Sequence, residues 1–406
     1  MAMCRSLVKM HIKSDDVLFT ILRAVRRGGC SLFDIVELPA AEKAGSWVLS
    51  SGAGNFSSRE LDWQMKAHDI DFMPSVNLYS SQLQGQSMPD EAESLFQLMY
   101  LLFSKPCLNS LTLSSIRNQV MESNRVDAIS DSVRMLRTGY SPRTLVQDKS
   151  YFLKATPERI IKVWKECFGC PDLFTFVITG NLEEKEALRL CRNYLASLPK
   201  TKHRKDIVND WRDVSIKSIK GMHSRKVCVP GEEKLASVVV TYNYNCSNYI
   251  KDAICCDIVS QAFQTRCMEE LREKDGAVYA VTIHNENTTI PTPQCEITAE
   301  LSCSTYDVEN IKSRIFEMWD YMSKNGLSDE EFLRVKKFLN RKTLNDNDSA
   351  NKWADCLTDS ILSNEEMLSP SVYLSMLTSL TITEVNDFVR RFHSSRNRLD
   401  VVFLSH

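Results

Sequence analysis

Arg272 and Tyr279 are the side chains whose types and spacing best suit work on a ligand. They stand seven residues apart in RCMEELREKDGAVYAV (Arg266–Val281), which reads as a charged helix end, a one-glycine turn and an apolar strand start. A guanidinium beside a peptide main chain can position it, and a phenol aimed at a carbonyl oxygen can donate to it as negative charge develops. The plainer reading of the same residues is a surface Arg in a salt-bridged helix end and a strand Tyr packing its ring. Histidine chemistry is more restricted. The seven histidines are His11, His68, His203, His223, His284, His393 and His406, and no two lie four or five residues apart. Two metal-binding histidines on one helix face need such a spacing.

The remaining candidates read as structural. Cys167-Phe-Gly-Cys170 is a lone CxxC between a helix and a strand, with no second ligand pair at a spacing that suits zinc. Gly52-Ala-Gly54 precedes Ser57-Ser-Arg-Glu60, where Ser57 and Glu60 form the signature of a capping box rather than of a phosphate loop. His68-Asp-Ile-Asp71 has the shape of a metal pair but lies between a helix end and a strand. Arg23, Arg26 and Arg27 form a basic cluster at the end of the first strand, expected as a solvated face, with attraction of acidic peptide segments as the alternative. Lys200–Lys205 reads as a solvated linker.

The chain has 406 residues, 43% apolar and 25% charged, with a net charge of −2, which gives no basis for nucleic-acid or anionic-membrane binding. The longest apolar run, near Leu95–Phe103, is far short of a bilayer span, and the first residues carry no signal-peptide pattern. The 14 cysteines are scattered, as expected of reduced thiols used as small apolar residues, and favour the cytoplasm or another reducing compartment.

These side chains must be positioned by alternating strands and helices. Strands are expected at 17–25, twice within 70–84, and at 173–179, 235–243, 278–284, 294–302 and 399–404, with amphipathic helices between them. Two segments recur in the same order. LTLSSIRNQVMESNR (Leu111–Arg125) lines up with LSDEEFLRVKKFLNR (Leu327–Arg341), and Thr156–Thr179 lines up with Thr381–Leu404, at offsets of 216 and 225. A duplicated domain follows: 1–205, a linker at 206–225, and 226–406 carrying Arg272 and Tyr279. The fold class is α+β, each domain an antiparallel-rich sheet with helices packed on one face.

At this point the sequence resembles the pitrilysin/insulinase (M16) family of zinc metallopeptidases over nearly its whole length. LREKDGAVYAV (Leu271–Val281) is similar to the family's Leu-Arg-Glu-Lys-x-Gly-x-x-Tyr segment. FTFVITGNLEEKEALRLCRNYLASLP (Phe174–Pro199) is similar to its strand, Gly-Asn turn, helix and Leu-Pro ending. The duplication also matches, and the best correspondence is to the non-catalytic C-terminal half of the longer, PqqL-like members. The resemblance implies two duplicated domains of LuxS/MPP-like metallohydrolase fold. The family's catalytic motif, His-x-x-Glu-His, is missing. ELPAAEKAG (Glu37–Gly45) supplies Glu42 without histidine, and YIKDAICCDIV in the second repeat has none.

The resemblance therefore implies a substrate-binding half or subunit that closes a peptide chamber over zinc held by an HxxEH-bearing partner half. Arg272 would fix the substrate peptide and Tyr279 would donate toward the scissile carbonyl. The chain itself is expected to hold no metal and not to be active alone. Its abrupt start suggests a separately encoded subunit or an incomplete gene. The alternative is an inactive scaffold or assembly subunit with no proteolytic role.

Overall fold

The computed structural model describes residues 7–9, 19–123, 128–200, 210–229, 234–247, 249–346 and 349–405. His11, His203, His406 and residues 201–209 of the expected linker region lie outside the described residues, as do the first two of the strand expected at 17–25.

Two five-stranded sheets organise the chain. The first contains β1 (Leu7–Lys9), β2 (Thr20–Arg27), β3 (Asp71–Val76), β4 (Ser80–Ser87) and β5 (Thr175–Gly180), in the order β1-β5-β2-β4-β3. The second contains β6 (Met222–Val229), β7 (Leu235–Asn245), β8 (Val278–Thr288), β9 (Gln294–Ser304) and β10 (Arg398–Ser405), in the order β6-β10-β7-β9-β8. Adding five to each label converts one order into the other. In both sheets only the pair at one edge is parallel, β1 with β5 and β6 with β10. The duplication read from two sequence segments thus extends to strand order and direction.

The main helices repeat in the same way. The first repeat has α1 (Leu38–Leu49), α2 (Ala92–Ser104), α3 (Ser110–Ser123), α4 (Ala128–Arg137) and α5 (Pro157–Phe168). The second has α6 (Tyr249–Cys267), α7 (Val308–Asn325), α8 (Asp329–Asp346), α9 (Ala350–Ser363) and α10 (Ile382–Ser394). Thr156 and Thr381 cap α5 and α10 by accepting from the amides of Arg159 and Glu384. Both helices then bury an i, i+3, i+4 stripe: Ile160, Val163 and Trp164 in one, Val385, Phe388 and Val389 in the other. Each stripe joins the core between its helices and its own sheet.

The compact units are not the contiguous halves expected from sequence. One unit comprises 1–126, 145–215 and 345–369; the other comprises 127–144, 216–344 and 370–406. Helix α9, from the second repeat, therefore belongs with the first sheet. Its Trp353, Ala354 and Leu357 pack with Ile21 of β2 and Val177 of β5. Thr179 Oγ1 donates to the Ala350 carbonyl at 2.8 Å. Helix α4, from the first repeat, belongs with the second sheet, where Leu136 joins Val229, Val239, Leu399, Val401 and Phe403. Each antiparallel-rich sheet has its helical layer on one face, as expected, and in addition one exchanged helix on the other.

This exchange corrects the reading of the arginine cluster. Arg23 and Arg26 are buried, not solvated. Arg23 Nη1 pairs with Asp355 of α9 at 2.7 Å. Arg26 Nη1 donates to the carbonyls of Glu166 (2.7 Å) and Cys167 (2.9 Å) at the end of α5, where free carbonyls favour a cation. The expected linker is corrected too, since Met222–Arg225 already belong to β6. That strand is mostly exposed, so its sequence lacks the apolar alternation that would announce it.

Candidate functional site

Arg272 and Tyr279 sit on either side of a turn that the backbone builds in an unusual way. Helix α6 does not stop at Cys267 but widens into a π-helix over Met268–Lys274. Such widened turns re-aim side chains and recur at functional sites. Leu271 is buried beneath this turn, while Arg272 points to solvent. The amide of Gly276 then donates to the Arg272 carbonyl at 3.1 Å, and that of Ala277 to the Leu271 carbonyl at 2.9 Å. Gly276 holds φ at +59°, and a Cβ there would meet no atom within 4 Å, so backbone angle rather than space calls for glycine.

Strand β8 begins at Val278 and forms the edge of the second sheet. Its pairing with β9 slips between Val278 and Ala280, which leaves Tyr279 on a bulge. A bulge on an edge strand turns a side chain away from the ladder. Tyr279 is accordingly 63% exposed, between the buried anchors Val278 and Val281.

The surrounding charges fasten the turn to its neighbours. Arg266 grips Glu331 at 2.7 and 2.9 Å, and this guanidinium is the main reason the Glu331 carboxyl is held down to about 2. Glu331 also closes the capping box of α8, accepting from the Ser328 amide at 2.9 Å. Arg314 pairs with Asp275 and donates to the Glu270 carbonyl, Lys274 pairs with Glu270, and Arg334 lies 3.5 Å from Glu269. Among the described residues, the Arg272 guanidinium and the Tyr279 hydroxyl have no hydrogen-bond or ion-pair partner. This hydrogen-bonded turn therefore presents one free cation and one free phenol, with their donor capacity available to a ligand. The sequence pointed to both residues; it did not reveal the π-turn or the bulge.

The residues where a zinc motif would fall do not fit the metal. Glu42 of α1 accepts from the buried Tyr151 hydroxyl and from Gln147 Nε2 at 3.3 Å, and Lys43 donates to Gln147 Oε1 at 2.9 Å. In α6, Asp252 accepts from Arg391 at 2.9 Å, and Asp257 accepts from Asn285 at 2.7 Å and Tyr373 at 2.8 Å. These carboxylates brace helices against their neighbours, and among the described residues none is hydrogen-bonded to an imidazole. Among the described residues, no group of three or more His, Cys, Asp or Glu side chains has a geometry that could hold a metal ion.

The minor candidates are also structural. Cys167 and Cys170 are buried, and burial pushes the Cys167 thiol up to about 11. Ser57 and Glu60 form the expected capping box at the helix Ser58–Ala67. His68 Nδ1 lies 2.8 Å from Glu91 rather than forming a metal pair with Asp71. No helix among the described residues is long and apolar enough to cross a membrane.

Comparison with known proteins bears on the family and the fold. Residues 154–339, which include Arg272 and Tyr279, match the family model described as Peptidase M16 inactive domain. A zinc protease PQQL-like protein of Arabidopsis thaliana is 22% identical over 360 residues, which span 84% of this chain and 34% of that protein. The periplasmic protease PqqL from Escherichia coli superposes with a TM-score of 0.80 at 18% identity, over 98% of this chain and 44% of that one. A peptidase M16 inactive domain from Pseudomonas fluorescens superposes with a TM-score of 0.77 at 15% identity, over 98% and 95% of the two chains. The chain thus spans between a third and a half of the length of the two full proteases. The family model thus matches the middle of the chain, residues 154–339, and the fold over nearly its whole length is that of M16 structures.

Proposed function

We propose that this chain is the substrate-binding half or subunit of an M16-type zinc metalloendopeptidase and closes a peptide chamber over zinc held by another half. The observation that carries the reading is the pair Arg272 and Tyr279. Both are exposed, both lack partners among the described residues, and both are held on a turn whose other charges are mostly paired. Arg272 would hold the substrate main chain through its planar set of donors. Tyr279 would place its O–H where the scissile carbonyl oxygen gains charge, which lowers the barrier only if the donor is already in position. Zinc, bound by the partner's histidines, would supply the activated water. The peptide substrate and the HxxEH-bearing partner belong to this proposal.

The test pairs the full chain with an HxxEH-bearing M16 half from the same source and follows cleavage of a quenched peptide. Tyr279→Phe is expected to slow turnover about 100-fold while leaving co-purification of the halves intact, as for loss of one oxyanion donor. Unchanged turnover with intact assembly would instead favour the scaffold role. The chain alone is expected to bind no stoichiometric zinc and to cleave nothing.

A further inference from the structure

A second site lies in the unit that contains the second sheet, at the end of that sheet where β6 and β10 begin. A cavity of about 190 Å³ opens there between α7, the end of α10 and the loop leading into β10. Phe316, Trp319 and Phe392 give it apolar walls. Its volume is of the order that accommodates a single aromatic ring, since a dry cavity of about 150 Å³ takes benzene.

Tyr242 and Arg398 line this cavity, and each carries a buried donor without an aligned hydrogen bond. The Tyr242 hydroxyl is buried, with the residue 5% exposed, and makes no hydrogen bond. Its ring is stacked on Trp319 with centroids 4.5 Å apart, so the hydroxyl cannot swing away to another partner without breaking that packing. Arg398 Nε is likewise buried and unsatisfied. It lies 3.3 Å from Asp400 Oδ1, close enough for charge attraction but without hydrogen-bond alignment. The Arg398 guanidinium stacks on Phe316 at 3.6 Å from the ring centroid, which keeps it flat against the cavity wall. Buried donors left unpaired are uncommon and ask for an acceptor.

The rim adds a further cation. Arg396 is exposed, has no side-chain partner among the described residues, and holds φ at +53°, where a glycine or asparagine would relieve the backbone. His393 Nε2 and Asp320 Oδ1 lie 2.8 Å apart at the rim, so one Asp320 oxygen is already engaged. The rim therefore offers Arg396 as a cation without a side-chain partner among the described residues, beside aromatic walls and the buried Tyr242 hydroxyl.

We propose that this pocket binds a small aromatic carboxylate. The ring would rest against Phe316, Trp319 and Phe392, and the carboxylate would accept from Tyr242, Arg398 and Arg396. The same chemistry is offered by a free aromatic acid and by the C-terminal residue of a peptide.

The test titrates the full chain with benzoate and with benzamide by calorimetry. Benzoate is expected to bind saturably at one site and benzamide about tenfold more weakly, because only the anion makes charge-assisted hydrogen bonds. Tyr242→Phe and Arg396→Gln are each expected to weaken benzoate about five- to tenfold, with melting temperature unchanged as the check on folding. The tripeptide Gly-Gly-Phe as free acid and as C-terminal amide identifies the source. If the acid matches or exceeds benzoate and the amide does not, the ligand is a chain terminus. If only benzoate binds, it is a free acid. Absence of saturable benzoate binding overturns the proposal and leaves water as the acceptor for Tyr242. Equal binding of benzamide, or benzoate affinity untouched by both variants, overturns it as well.

Discussion

Glu296 sits under opposed pressures: burial pushes its carboxyl up to about 7, while the Arg137 guanidinium 2.6 Å away pulls it down. Glu286 stands directly across from it in the β8–β9 register and adds repulsion. A carboxyl whose ordinary value is 4.5 but which titrates near 7 when folded binds its proton more tightly in the native state. Its contribution to stability is therefore fully present below about pH 4.5 and is lost as pH rises through about 7. The size of that loss is roughly 3 kcal/mol. Glu296→Gln cannot titrate, so urea denaturation should show the variant gaining on the parent by about 2–3 kcal/mol between pH 5 and pH 8. A constant difference across that range would show that Glu296 titrates normally. The same scale explains why the arginine cluster was misread. Nothing near Arg23 or Arg26 in sequence announces the partners that bury them, because Asp355 and the Glu166 and Cys167 carbonyls are brought there by packing.

Among the elements, α4 and α9 depart furthest from what a linear reading suggests. Each contributes an apolar stripe to the sheet of the other repeat. The cross-assignment makes a directional prediction. Leu136→Ala, in the first repeat's sequence, should destabilise the second sheet by about 2–3 kcal/mol, the usual result of emptying a buried leucine site. Hydrogen exchange should then quicken at amides of β7 and β10 and stay unchanged at β2 and β5. Faster exchange confined to β2 and β5 would contradict the exchange of helices. The capped helices α5 and α10 behave differently. Their start signals, their apolar periodicity and the strands that follow are all local, so they were legible in the sequence.

For the whole molecule, the chain passes between the two compact units after residues 126, 144, 215, 344 and 369. A cut between the repeats consequently strips each sheet of one helix. Residues 1–205 alone would expose Ile21 and Val177 and would carry α4 with no sheet to cover. The remaining residues, 206–406, alone would expose Val239, Val401 and Phe403. Expressed separately, each fragment should aggregate or melt well below the full chain, and mixing the two should restore the parental melting curve. Two fragments that each fold cooperatively at the parental temperature would show that the exchanged helices contribute little.

The sequence alone determined much of what depends on neighbouring residues: the order of most strands and helices, the internal duplication, and the absence of a paired-histidine zinc motif. It also singled out Arg272 and Tyr279, because a charged helix end, one glycine and an apolar strand start lie within sixteen residues, Arg266–Val281. Tertiary structure alone decided how those two groups are presented. The π-turn and the bulge arise from how α6 meets an edge strand, and the mostly paired charges around them come from α7 and α8. It also decided which helix covers which sheet, since an apolar stripe specifies that a face be buried but not against which partner.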